Sequence, residues 1–200
     1  MQTPDIGYLR VSSFTAQSGS EVTSALRRLK ESASRGIVLD LRSNPGGFLQ
    51  AAVDVSSQFI ADGVVVYQQS VSGQLEEQRA RSGGLATTLP VAILVNKGSA
   101  SASEIVAAAL RDNGRAVLIG ERTFGKGSVQ TVHKLSDGSG IRITSAVWLT
   151  PAMQPLEKVG LEPDIAVAAA SDTRPDYDPQ LETALSYLSG QVGSRPVESR

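Results

Sequence analysis

Two stretches of this chain repeat one pattern: a short, continuously apolar run, a loop of breakers or very small residues, and then a helical spacing of apolar positions. The first is IVLDL at 37–41, followed by RSNPGG and a helix over about Leu49 to Ile60. The second is VAILV at 91–95, followed by NKGSASAS and the alanine-rich EIVAAALRDNG, with Gly114 at its end. A β-rich run with no polar alternation reads as a strand covered on both faces, which is the situation of parallel strands between helices. Strand, sharp loop and helix in succession therefore predict an α/β domain.

The remaining segments fit around these two units. IGYLRV at 6–11 reads as a strand. From Ser20, the positions Val22, Ala25, Leu26, Leu29 and Ala33 follow helical spacing, with Ser18 or Ser20 as a cap and Gly36 as a stop. VVVYQQ from 64 and a polar stretch at 74–82 predict a hairpin with an exposed outer strand at a sheet edge. AVLIG at 116–120 is a further strand. VQTVHKL and IRITSAVWLT flank the turn signal SDGSG as a second hairpin. Residues 151–165 read as proline-punctuated loop, a short helix is predicted near Leu181 to Leu188, and the polar tail from about 190 reads as disordered.

Composition removes several classes of function. Two hundred residues suit one domain, and 40% hydrophobic residues suffice for a core. A net charge of −1 gives no field favouring nucleic acid or an anionic membrane. With no cysteine and one histidine, disulfide frameworks, thiol nucleophiles and the usual zinc sites are excluded, so metal chemistry would need carboxylates alone. No cofactor or metal is expected. No run reaches the ~18 apolar residues of a membrane helix, and MQTPDIGYLR lacks the pattern of a signal peptide.

Three loops at strand ends could carry chemistry: NPGG at 44–47, GSASASE at 98–104 and GERTFGKG at 120–127. NPGG alone reads as a plain turn, and Lys126 alone as a solvated loop lysine. Gly120, Gly125 and Lys126 imitate a phosphate-binding loop, but Gly127 stands where that loop needs Ser or Thr, and a β pattern follows where it needs a helix. A serine hydroxyl becomes a nucleophile only if a base takes its proton, and a lysine kept neutral by apolar surroundings can be that base. Phe124 and Val129 could help to supply such walls. On a strand running through 126–133, Lys126, Ser128 and Gln130 would share one face and the sole histidine, His133, the other. Among the serines, Ser99, Ser101 and Ser103 remain equal candidates on these grounds.

The phrases DLRSNPGG, VNKGSASASEIVAAAL, GERTFGKGSVQ and LSDGSGIRIT, in this order, resemble the carboxyl-terminal processing (tail-specific) protease family. The resemblance implies a spiral α/β core of β-β-α units like that of the crotonase and caseinolytic protease families. It implies a serine endopeptidase in which Ser101 is the nucleophile, Lys126 the base and Gln130 the residue orienting the lysine. Backbone N–H groups of Gly46 or Gly47 and of Ala102 would form the oxyanion hole, while Ser103 and Glu104 would be first-turn helix residues. It further implies protein substrates cleaved near their C-termini, an adjoining PDZ domain absent from this chain, and action outside the cytoplasm, in periplasm or thylakoid lumen. On this reading residues 1–170 form the protease core, and 171–200 a C-terminal helix and polar tail attached to it. A ligand-binding or scaffolding module on the same fold is the competing expectation, since fold alone does not fix activity.

Overall fold

A computed structural model of the chain describes residues 5–32, 34–170 and 177–193. Its centre is a parallel sheet built from β1 (Ile6–Arg10), β2 (Gly36–Asp40), β5 (Val91–Val95), β6 (Ala116–Gly120) and β9 (Ile165–Ala166), side by side in that order. Every residue of β2 and β5 is buried. Alternation within these runs decides which layer each side chain enters. Ile37, Leu39, Val91, Ile93 and Val95 pack with α1 (Ser18–Glu31), α2 (Leu49–Ser56) and α3 (Ala102–Asp112). Val38, Ala92 and Leu94 instead meet Ala184 and Leu188 of α4 (Pro179–Gly193). Helices thus cover both faces, which is why neither strand shows a polar position until Asp40.

The second sheet is antiparallel, in the order β4 (Leu75–Arg79), β3 (Val64–Ser70), β8 (Gly140–Leu149), β7 (Ser128–Lys134). Its inner part joins the core through Val65, Val66 and Trp148. Strand β4 lies at the edge with its residues mostly exposed, as the polar sequence predicted.

Several boundaries differ from the sequence reading. Helix α1 begins at Ser18 with Gln17 as its N-cap. Neither proposed serine caps it, because Ser18 Oγ accepts a hydrogen bond from the Thr15 N–H (2.9 Å) and Ser20 Oγ donates to the Gln17 carbonyl (2.8 Å). Gly36 is the first residue of β2 and not a helix stop. Helix α2 ends at Ser56 and continues to Phe59 only as turn. At the end of the expected loop 151–165 the structure adds β9, which starts at Ile165 and pairs with β6. Helix α4 is longer than expected and takes in residues 190–193 of the anticipated tail, while 194–200 lie outside the described residues.

Helix α4 is fastened to the carboxyl end of the parallel sheet by a charged cluster. Asp40, fully buried, accepts hydrogen bonds from Arg42 Nη2 (2.7 Å) and from the Tyr8 hydroxyl (2.6 Å). Arg42 Nη1 reaches Asp178 (2.8 Å) and Gln180 Oε1 (3.1 Å) at the start of α4. Burial works to raise the Asp40 pKa, but the bonds from Arg42 and Tyr8 outweigh it and hold the carboxyl below its usual range. Burial, then the bond to Asp40, pushes the Tyr8 phenol up to about 12.

Candidate active site

The carboxyl ends of β2, β5 and β6 bring the three loops together, as expected for an α/β sheet. Asn44, fully buried, staples the first loop in place. Its Nδ2 donates to the Val11 carbonyl (2.7 Å), its Oδ1 accepts the Gly46 N–H (2.8 Å), and its carbonyl accepts from Ala100 N (2.9 Å) and Ser103 Oγ (2.8 Å). The second loop therefore hangs directly on the first. A Cβ on Gly46, whose φ is +98°, would stand 2.8 Å from Ser101 Cβ and 2.9 Å from Ala102 N. A Cβ on Gly47 would lie 2.0 Å from the Phe14 carbonyl oxygen. Both positions need glycine because backbone passes too close for any side chain.

The structure separates the three serines. Ser99 and Ser103 are fully buried, and their hydroxyls are committed: Ser99 Oγ donates to the Leu41 carbonyl (2.8 Å), and Ser103 Oγ shares its single hydrogen between the carbonyls of Ala100 (2.7 Å) and Asn44 (2.8 Å). Ser101 is half-buried and is the N-cap of α3, with φ +58° and ψ −119°. A residue with a Cβ rarely adopts such a conformation, and the cost is of order 1–3 kcal/mol where surrounding structure enforces it. Here Gly46 on one side and the helix start on the other do so.

The hub of the site is Glu104, fully buried in the first turn of α3. Its Oε2 accepts the N–H of Ser101 (2.9 Å) and the N–H of Lys126 (2.9 Å). Its Oε1 accepts the Thr123 hydroxyl (2.5 Å) and the Gly125 N–H (2.7 Å). One carboxylate thereby ties the serine loop to the lysine loop through four donors. From sequence Glu104 is expected only as a first-turn helix residue. The Ser101-x-x-Glu104 spacing of a capping box was the available signal for its bond to Ser101, but its bonds to 123–126 come from tertiary structure alone.

Two expectations about Lys126 are corrected. It lies in the loop before β7, which begins at Ser128, so strand alternation does not apply to it, and its backbone is held by the bond from its N–H to Glu104. It is exposed, as is Phe124 at 66%, so the anticipated apolar walls do not enclose the amine. Gln130 is exposed on β7, and His133 lies farther out on the same strand.

This arrangement, a serine at a strained helix start tied through a buried carboxylate to a lysine loop on an α/β sheet, can be set beside known proteins. Residues 5–167 match peptidase family S41, and the chain belongs to that family. It is 44% identical over 192 residues to a carboxyl-terminal-processing protease of Synechocystis, covering 94% of this chain and 44% of that protein. It is 39% identical to carboxyl-terminal-processing peptidase 3, chloroplastic, of Arabidopsis thaliana, over 82% of this chain and 33% of that protein. Among solved structures it is similar to the photosystem II D1 C-terminal processing protease, with a TM-score of 0.78 and 38% identity over 82% of this chain and 42% of that chain. The chain thus spans less than half the length of these relatives. The expected α/β fold class and family are both borne out.

Proposed function

We propose that this chain carries the catalytic core of a serine endopeptidase that cleaves proteins near their C-termini, with Ser101 as nucleophile and Lys126 as base. The observation that carries the reading is Ser101 itself: of three clustered serines it alone is accessible, and it is held in a strained conformation at the N-terminus of a helix. The positive end of the helix dipole favours an alkoxide there. Lys126 Nζ, in its neutral form, takes the Ser101 proton while Oγ attacks the scissile carbonyl. The proton passes to the departing amine as the C–N bond breaks, and water, deprotonated by the same lysine, then cleaves the acyl ester. Gln130 orients the lysine.

For the oxyanion hole, the Gly46 N–H is already given to Asn44 Oδ1, which favours Gly47 and Ala102 as the two donors. Losing one such donor costs about 10²–10³ in kcat. Residues 1–170 form the protease core with α4 attached. The names of the relatives support protein substrates. The chloroplastic relative supports a site of action outside the cytoplasm, and an adjoining PDZ domain would present the substrate tail. The test is peptide cleavage by Ser101→Ala and Lys126→Ala, with the fold checked by circular dichroism. Both variants should fold and lose activity, and undiminished cleavage by either would sink the dyad.

A further inference from the structure

Segment 123–127, which carries Lys126, is gripped from two sides. On the inner side Glu104 accepts the Thr123 hydroxyl and the N–H groups of Gly125 and Lys126. On the outer side the loop 156–161 holds it: Glu157 Oε2 accepts the Gly127 N–H (2.9 Å), Lys158 N donates to the Gly125 carbonyl (2.8 Å), and Thr123 N donates to the Leu161 carbonyl (3.1 Å). One side chain belongs to both grips. Thr123, 6% exposed, donates its hydroxyl to Glu104 Oε1 (2.5 Å) and accepts the Leu161 N–H on the same oxygen (2.7 Å). A hydroxyl can donate once and accept besides, which an amide hydrogen or a carboxylate cannot do alone.

We infer that Thr123 is a positioning residue: its hydroxyl locks the outer loop to Glu104 and so fixes the backbone from which Lys126 reaches Ser101. The inference rests on the Ser101–Lys126 reading for its kinetic consequence, but not for the anchoring itself. Valine at 123 keeps the volume and the β-branch while removing both bonds; serine keeps both bonds. Small misplacement of a catalytic group costs about 10²-fold in rate.

The test compares Thr123→Val and Thr123→Ser in the 200-residue chain, by steady-state cleavage of a peptide and by NMR amide exchange at Gly125 and Lys126. The valine variant should lose about 10²-fold in kcat with KM nearly unchanged, and its two amides should exchange faster. The serine variant should restore both readouts. Wild-type kcat and exchange in the valine variant, a loss confined to KM, or equal damage in the serine variant would overturn the proposal. If the valine variant does not melt cooperatively, Thr123→Cys replaces it, since a thiol is a weak hydrogen-bonding group of similar size. A loss in that variant of the size expected for valine, with faster exchange at the two amides, supports the proposal, and behaviour matching serine overturns it. Cleavage persisting in Lys126→Ala would refute the dyad instead, and the amide exchange would still decide the anchoring.

Discussion

The paired strands β2 and β5 and the paired strands β7 and β8 are both rich in β-branched residues, yet their fates are opposite. In the first pair every side chain is buried between helical layers. In the second, Val132, Ile141 and Ile143 are 58%, 47% and 49% exposed. The difference teaches where precision is built. The serine loop grows from the end of β5, while Lys126 sits where the rigid core gives way to the open hairpin. That junction explains why the lysine loop is held by hydrogen bonds on two sides, whereas NPGG and the serine loop are bonded directly to each other, through Asn44 among others.

The sharpest test of the contrast is truncation of one isoleucine in each pair. Ile93→Ala should destabilise the chain by about 2–5 kcal/mol through lost burial and a residual cavity. Ile143→Ala should change stability by no more than about 0.5 kcal/mol. Urea denaturation gives both values, and similar losses would show that the hairpin is not peripheral to stability.

A smaller effect is expected where α4 meets the sheet. Asp40→Asn removes a buried, depressed carboxylate that bonds Arg42 and Tyr8, and should cost about 2 kcal/mol. Because the Asp40 pKa is lowered in the folded chain, its stabilisation is complete above the unfolded value near 3.8 and is lost as pH falls through the lower folded value. The Tyr8 shift has the other sign: its contribution is complete below 10.0 and is lost as pH rises through about 12. Melting temperature against pH, in wild type and Asp40→Asn, checks this; an unaltered acid limb in the variant would remove Asp40 from the account.

The smallest effect concerns the turn after β8. Met153 is exposed and has φ +61°, a left-handed conformation that favours glycine. Met153→Gly should therefore stabilise by about 0.5–1 kcal/mol, measured by the same denaturation. A loss of stability would mean that Met153 makes contacts outweighing its backbone strain.

Much of this could be read from residue order alone, and the reasons it stopped are specific. Buried strands announced themselves because apolar runs have no other stable place, and the loops at their ends followed. Ser101 could not be separated from Ser99 and Ser103 without knowing which hydroxyls point into the core, a fact of tertiary packing. Strand β9 was invisible because two residues, Ile165 and Ala166, carry no periodicity. Alternation failed for Lys126 because the strand starts two residues later, and nothing local marks that start. Glu104 and Thr123 look like an ordinary helix residue and an ordinary loop residue until the fold brings them together.

The backbone at Ser101 has a consequence for any inactive form of the protein. Alanine there removes the alcohol but inherits the unfavourable dihedral angles, whereas glycine removes the alcohol and is at ease with them. Ser101→Gly should thus fold more securely than the parent and, on the proposed role of Ser101, be chemically mute. Durability and reactivity are opposed at a single atom's distance, and a chain that drifted from enzyme to passive scaffold would find its first gain in stability at this residue.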